Sequence, residues 1–221
     1  MKKDKSKIIF ELESKKYSVN DKSIVLGEQL FYEYINDAKH LSFSLARYKF
    51  IAKMFEDYNF VLEVGAGEGF KSNIVNQAVK SLTLSDYHDR FLNNYQFNNK
   101  YLVIDFLKEK SKKKYDGIYS LDVLEHINKR KEEKFLKNIL NSLKKNGTLI
   151  LGSPSLESQK YASKISKLGH INCKNKKEFK KTMLKYFNNV FMFSMNDEVL
   201  HTGYDKMSQY IFAVCVNKKI K

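Results

Sequence analysis

The sequence predicts an α/β fold, a doubly wound and mostly parallel sheet preceded by a helical segment. Three observations carry this expectation. From Phe60 onward, short apolar runs alternate with stretches of helical period, the rhythm of strand–crossover–strand units. The first run, Phe60–Val64, passes directly into three glycines at alternate positions, Gly65, Gly67 and Gly69. The following runs end in acids at the same relative place, Asp86, Asp105 and Asp122, as expected where a ligand lies outside the carboxyl ends of parallel strands.

In chain order, residues 1–57 form an extension and 58–221 the main domain, together one compact unit. The extension is mixed and polar to about Ser23. Phe43, Ala46, Phe50 and Met54, with Leu45, Ile51 and Phe55 beside them, then recur at helical spacing up to the first strand. Strand one is Phe60–Val64, and a helix is expected over Phe70–Val79. Strand two is Ser81–Ser85, strand three Tyr101–Ile104 and strand four Gly117–Leu121. A charged helix over Arg130–Leu143 stops at Lys144–Gly147, a helix end and turn, before strand five, Thr148–Gly152. A helix over Lys176–Tyr186 and strands over Asn189–Ser194 and Gln209–Val216 complete the chain.

Composition limits the alternatives. An apolar content of 43% supplies a core, and a single proline argues against long linkers. No apolar run approaches the ~18 residues that cross a bilayer, so no membrane insertion is expected. Ile8–Phe10 is too short for a signal-peptide core. The two cysteines, Cys173 and Cys215, have neither disulfide-framework nor zinc spacing; a reducing cytoplasm fits, and no metal site is read from the sequence. The net charge of +15 raises the question of nucleic acid, yet only three of the 40 basic residues are arginines, the type that forks onto phosphate and bases. The lysines are spread along the chain, which fits solvated faces and an anionic small molecule better than an RNA footprint.

The residues at the strand ends give a coherent chemistry. Gly65, Gly67 and Gly69 let backbone approach a ligand closely where strand turns into helix. Their G-x-G-x-G spacing is one residue tighter than the dinucleotide fingerprint. Glu63 is expected to face the same crevice. Asp86 lies 21 residues after Gly65, where an acid can accept ribose hydroxyls. Asp105 can bind an adenine amino group beside the aromatic wall of Phe106. A ring of carboxylates, with no arginine after the loop, suits a cationic ligand and not a pyrophosphate.

Glu63-Val64-Gly65-Ala66-Gly67-Glu68-Gly69 resembles the E/D-x-G-x-G-x-G motif of class I S-adenosylmethionine (SAM)-dependent methyltransferases. Tyr115–Ile127, Y-D-G-I-Y-S-L-D-V-L-E-H-I, is similar to the fourth motif of small-molecule methyltransferases of the ubiquinone-biosynthesis type. Leu143–Ser155, L-K-K-N-G-T-L-I-L-G-S-P-S, matches a further element of that family, with Asn146 replacing a glycine. The resemblance covers about residues 45–216 and implies a Rossmann-like methyltransferase fold of seven strands, the last pair a hairpin, with an N-terminal helical lid. It implies SAM as cofactor and S-adenosylhomocysteine (SAH) as product. Glu63, Gly65, Ala66, Gly67, Gly69, Asp86, Tyr87, Asp105, Phe106, Leu121, Asp122, Val123, His126 and, from the lid, Arg47 are the cofactor-side residues it implies. Arg47 is also a candidate for holding an acceptor carboxylate, and Tyr17 is a weaker lid candidate.

No N-P-P-Y-like sequence and no catalytic cysteine pair occur, which weighs against methylation of bases. The expected acceptor is an oxygen or nitrogen of a small, anionic molecule such as a sugar, a nucleotide-linked metabolite or an envelope precursor. An RNA or protein acceptor, or an inactive SAM-binding partner subunit, is the alternative. His170, His201 and His126 are the expected catalytic residues, the first two as candidates for the base that takes a hydroxyl proton.

Overall fold

The computed structural model describes residues 5–15, 24–94 and 98–219. Tyr17 lies outside the described residues. Three helices precede the sheet: α1 (Lys5–Ser14), α2 (Glu28–Asn36) and α3 (Ala38–Met54). α1 buries none of its residues, so the lid proper is α2 and α3. Asp37 caps α3 by accepting the His40 N–H at 3.2 Å. Ser44, Arg47, Tyr48, Ile51 and Ala52 form its buried stripe at three- and four-residue spacing. Ile51 is fully buried, worth about 1.5–3 kcal/mol to the docking of the helix.

The alternation then begins with β1 (Val61–Val64), α4 (Asn73–Asn76), β2 (Leu82–Asp86) and β3 (Lys100–Val103). It continues with β4 (Tyr115–Leu121), α5 (Glu132–Ser142), β5 (Leu143–Pro154), α6 (Lys164–Gly169) and α7 (Lys176–Met183), and ends with β6 (Phe187–Asn196), β7 (Val199–His201) and β8 (Tyr210–Lys218). The eight strands form one sheet in the order β3-β2-β1-β4-β5-β8-β6-β7. β1 pairs in parallel with β2 and β4, β2 with β3, and β4 with β5, while β8, β6 and β7 run antiparallel at the far side. The order reverses between β1 and β4, which opens a crevice at their carboxyl ends.

Because side chains alternate along a strand, the sheet buries two apolar layers. Leu62, Ile118 and Leu149 pack on one face with Phe135, Leu136 and Ile139 of α5 and Phe179 of α7. Val61, Leu84, Tyr119 and Ile150 pack on the other with Tyr48 and Ile51 of α3.

Besides the added helices α1 and α6, three elements differ from expectation. The helix anticipated over Phe70–Val79 shrinks to α4, where Asn73, Asn76 and the β-branched Ile74, Val75 and Val79 give little helix propensity. Lys144–Gly147, anticipated as a turn, lie within the start of β5 at a register shift. There β4 advances from Tyr115 to Gly117 while its partner advances from Leu143 to Thr148. Gly147 is needed at that bulge, since a Cβ there would sit 2.6 Å from Leu143 Cδ1 and 2.9 Å from the Asp116 carbonyl. The third difference is β7, which adds an eighth strand by pairing with the end of β6.

Candidate functional site

A cavity of about 790 Å³ opens at the carboxyl ends of β1, β2 and β4, where the winding reverses. The glycine loop forms its floor, and Gln29 and Leu30 of α2 with Ser44 and Tyr48 of α3 form a wall from the lid. The size lies within the range of ligand pockets, roughly 300–1,000 Å³.

The loop is built for close approach. Gly65, Gly67 and Gly69 have φ of 85°, 54° and 73°, the left-handed region that side chains disfavour. A Cβ on Gly65 would collide with Val123 of the β4 turn, so that glycine serves packing. At Gly67 a Cβ would meet nothing within 4 Å; its bare backbone faces the open cavity. The Gly67 N–H donates to Asp86 Oδ2 at 3.1 Å, and Tyr101 donates its hydroxyl to the Gly67 carbonyl at 2.8 Å. Asp86 Oδ1 accepts the His88 N–H at 3.2 Å. Each Asp86 oxygen thus keeps a further lone pair for a ligand.

The loop also reaches the lid. Glu68 Oε1 accepts the Gln29 N–H at 3.0 Å and Oε2 the Leu30 N–H at 3.3 Å, so a loop carboxylate caps α2, whose own N-cap is Gly27. Lys71 adds an ion pair to Glu33 of α2 at 2.7 Å.

Glu63 does not face the crevice. Its carboxylate lies beneath the loop, 1% exposed, accepting the Tyr48 hydroxyl at 2.9 Å and the Tyr119 hydroxyl at 2.6 Å. Pleating explains the correction: Glu63 shares a face of β1 with Val61, the face covered by α3. Burial raises its carboxyl above the ordinary carboxylate value, against the hydroxyl groups that favour its charge. Both tyrosines are pushed well up, by burial and then by Glu63.

Ala66, Tyr87, Asp105, Phe106, Leu121 and Val123 all line the cavity. Asp105 Oδ1 accepts the Leu107 N–H at 2.8 Å, which fixes its direction, while Phe106 is buried beside it. Asp122 also lines the wall, in a left-handed conformation with φ 56°. Arg47 stands behind it and not in the cavity. One guanidinium nitrogen of Arg47 reaches both Asp122 oxygens, at 3.1 and 2.9 Å, and its plane lies 3.9 Å from the centroid of the Tyr210 ring. The Asp122 carboxylate raises the Arg47 pKa against the lowering effect of burial. So placed, Arg47 holds Asp122 and is not positioned to receive an acceptor carboxylate.

The three histidines separate. His126 lines the cavity; His170 stacks edge-on against it with ring centroids 5.2 Å apart. Burial, then His126, lowers the His170 pKa. His201 lies instead on β7, its Nε2 2.7 Å from Asn196 Oδ1, and is not among the cavity-lining residues. The pairing of His126 with His170 follows from Asn172, which donates its N–H to the Glu125 carbonyl at 2.9 Å and its side-chain amide to Glu132 at 2.7 Å. Sequence reasoning missed Glu125 as a site residue. It is fully buried against this pair, its carboxyl pushed well up by burial and by Asp122. The adjacent Glu125-His126 is the visible signal; the approach of His170 to them is not. Nearby Cys173 has its thiol pushed up to about 12, chiefly by burial, and is no nucleophile.

The bare backbone at Gly67, the Asp86 carboxylate and the acids at Asp105 and Asp122 fit a nucleoside bearing a cationic side chain. The comparisons agree. The methyltransferase domain family matches residues 27–189. No curated protein sequence matches the chain. Among solved structures, the N-methyltransferase NodS of Bradyrhizobium japonicum WM9 in complex with SAH aligns with TM-score 0.64 at 14% identity, over 86% of this chain and 93% of NodS. The plantazolicin methyltransferase BpumL in complex with SAH aligns with TM-score 0.65 at 14% identity, over 96% and 98% of the two chains. The methyltransferase domain of bacterial CtHen1-C gives 0.64 at 16% identity, over 79% and 98%. At these identities the neighbours show the fold, and the domain match supplies the family: this chain belongs to the methyltransferase domain family and is a SAM-dependent methyltransferase.

Proposed function

We propose that the chain methylates an oxygen or nitrogen of a small molecule bound at the His126 end of the cavity. The observation that carries this reading is the lining itself: the Gly67–Asp86 end has the groups for a nucleoside, and a second polar end at Asp122 and His126 lies beyond it in the same cavity. Bound there, SAM supplies an electrophilic methyl group. Asp86 would take the ribose hydroxyls, and Asp105 and Phe106 the adenine. The chain's own contribution is alignment, worth as much as ~7–11 kcal/mol when donor and acceptor are held in line. The net charge of +15 supports an anionic acceptor.

The test is SAM turnover with fractionated metabolite pools, following SAH release and products heavier by one methylene. Turnover with a small-molecule fraction is expected. Turnover only with RNA, with substrate binding that weakens steeply as salt rises, would replace this reading with the nucleic-acid alternative. SAH binding without turnover in any pool would replace it with a non-catalytic partner subunit.

A further inference from the structure

Glu125 is unusual among the buried acids. It is fully buried, and neither carboxylate oxygen has a hydrogen-bond partner among the described residues. Its own backbone N–H and then the Ser153 hydroxyl ease its charge in part, but neither reaches hydrogen-bond geometry, and that hydroxyl is directed to the Pro154 carbonyl at 3.3 Å. Arg47, which also eases it, bonds Asp122 through one guanidinium nitrogen and makes no hydrogen bond to Glu125. An ionised carboxylate left unpaired in such a place costs several kcal/mol. Such a group keeps a proton or meets a cation.

Two imidazoles stand beside it. One ligand atom from each of Glu125, His126 and His170 lies within 4.8 Å of the other two. Each ring has its Nδ1 on a carbonyl oxygen. His126 Nδ1 donates to the Gly169 carbonyl at 3.0 Å, and His170 Nδ1 donates to Gln159 Oε1 at 2.8 Å. Gln159 is itself oriented, because its amide donates to the Ser155 carbonyl at 3.1 Å and to Ser158 Oγ at 3.2 Å. With the proton fixed on Nδ1, each Nε2 carries a lone pair. Outer carbonyls impose this same tautomer on metal-bound histidines. Gly169 permits the close approach, since a Cβ there would lie 3.3 Å from His126 Nδ1 and Cε1.

We propose that Glu125, His126 and His170 form a binding site for a divalent first-row cation at the acceptor end of the cavity. Two imidazoles and one carboxylate suit Mn²⁺, Fe²⁺ or Co²⁺ and leave coordination positions open. Because His126 lines the cavity, an acceptor oxygen can reach the ion from there. This deepens the function proposed above and rests on its placement of the acceptor. It narrows the acceptor to a hydroxyl. The cation polarises that hydroxyl, whose proton leaves to water. The oxygen lone pair forms the new C–O bond as the donor C–S bond breaks with its electron pair remaining on sulfur. His126 and His170 then hold the ion, and neither takes the proton.

The experiment titrates the untagged, chelator-treated full chain with Co²⁺, reading ligand-field absorption and calorimetric heat. One Co²⁺ per chain is expected. Glu125→Gln and His170→Asn should each weaken Co²⁺ binding by at least about 10–100-fold, while SAH affinity stays within a few-fold of wild type. His170 is partly exposed, so its variant keeps the test decisive if Glu125→Gln fails to fold. No stoichiometric Co²⁺ binding by the wild-type chain, or unchanged affinity in folded His170→Asn, overturns the proposal. Failure of the wild-type chain to bind SAH overturns the donor site instead and leaves the cation result standing. Equal turnover of a hydroxyl acceptor by chelated and Co²⁺- or Mn²⁺-restored enzyme overturns the acceptor role of the ion.

Discussion

Replacing Asp86 by alanine tests the donor end of the cavity most directly. In the structure this carboxylate does two things. It ties the glycine loop to the end of β2 through the Gly67 and His88 N–H groups, and it presents lone pairs to the cavity. Hydrogen bonds to a charged group contribute about 1.5–3 kcal/mol, so loss of the proposed ribose contact should weaken SAH binding by roughly 10–150-fold. The two loop N–H groups lose a protein partner but can be solvated from the cavity, so stability should fall by only about 1–2 kcal/mol. Asp86→Asn keeps one acceptor oxygen and should fall between wild type and alanine on both counts. Calorimetric titration with SAH and thermal unfolding, run on the same preparations, separate the roles. A folded Asp86→Ala chain with lower stability and unchanged SAH affinity would refute the reasoning: Asp86 would be a loop clamp alone.

Gly67→Ala should cost about 1–2 kcal/mol through its left-handed backbone at φ 54°. It should also reduce SAH affinity, because the new methyl enters the cavity; full affinity in a folded variant would place the ligand elsewhere. Arg47→Leu should lower the urea-derived stability by about 1–3 kcal/mol, less than a fully buried pair would, because the Asp122 carboxylate is 41% exposed. Unchanged stability would mean that the Tyr210 and Asp122 contacts of Arg47 contribute nothing. For Glu63, burial raises the folded pKa against the hydroxyls of Ser72, Tyr119 and Tyr48, and Asp86 adds repulsion. The folded chain then holds this proton more tightly than the unfolded chain, so its contribution to stability falls as pH rises from the ordinary value near 4.5 through the raised one. Glu63→Gln should flatten that part of the melting-temperature profile, and identical slopes would argue against a raised pKa.

The part of the cavity lining built by the glycine loop and the strand-end acids is legible because it is local. A glycine loop and the acids ending β2, β3 and β4 lie within a few residues of recognisable strands, and the parallel winding brings those ends together. What sequence could not supply were pairings across long separations. Arg47 meets Asp122 across 75 positions, and only the docking of α3 on the sheet shows that this arginine is already occupied. His170 reaches His126 because Asn172 pins the segment after α6 to the β4 turn, a tether without a motif. His201 lies on β7, which draws it into the sheet edge and away from the cavity. Glu63 departs from expectation for a different reason. At the last turn before a loop, strand alternation and crevice geometry compete, and the pleat won.

The bond from Glu68 to α2 has a thermodynamic side. α2 has nine residues, too few to persist alone in water, and its N-cap is a glycine without a side chain to offer. Its first free amides are satisfied by a carboxylate borrowed from the glycine loop, where the donor is proposed to bind. A donor bound there would be coupled to the helix reciprocally: the free energy SAH releases in ordering that loop would be felt as protection of α2, and disrupting α2 would weaken SAH by the same amount. Amide hydrogen exchange at Gln29 and Leu30 reads this coupling. Exchange should slow when SAH is added, and in Glu68→Gln it should be faster and nearly indifferent to the ligand.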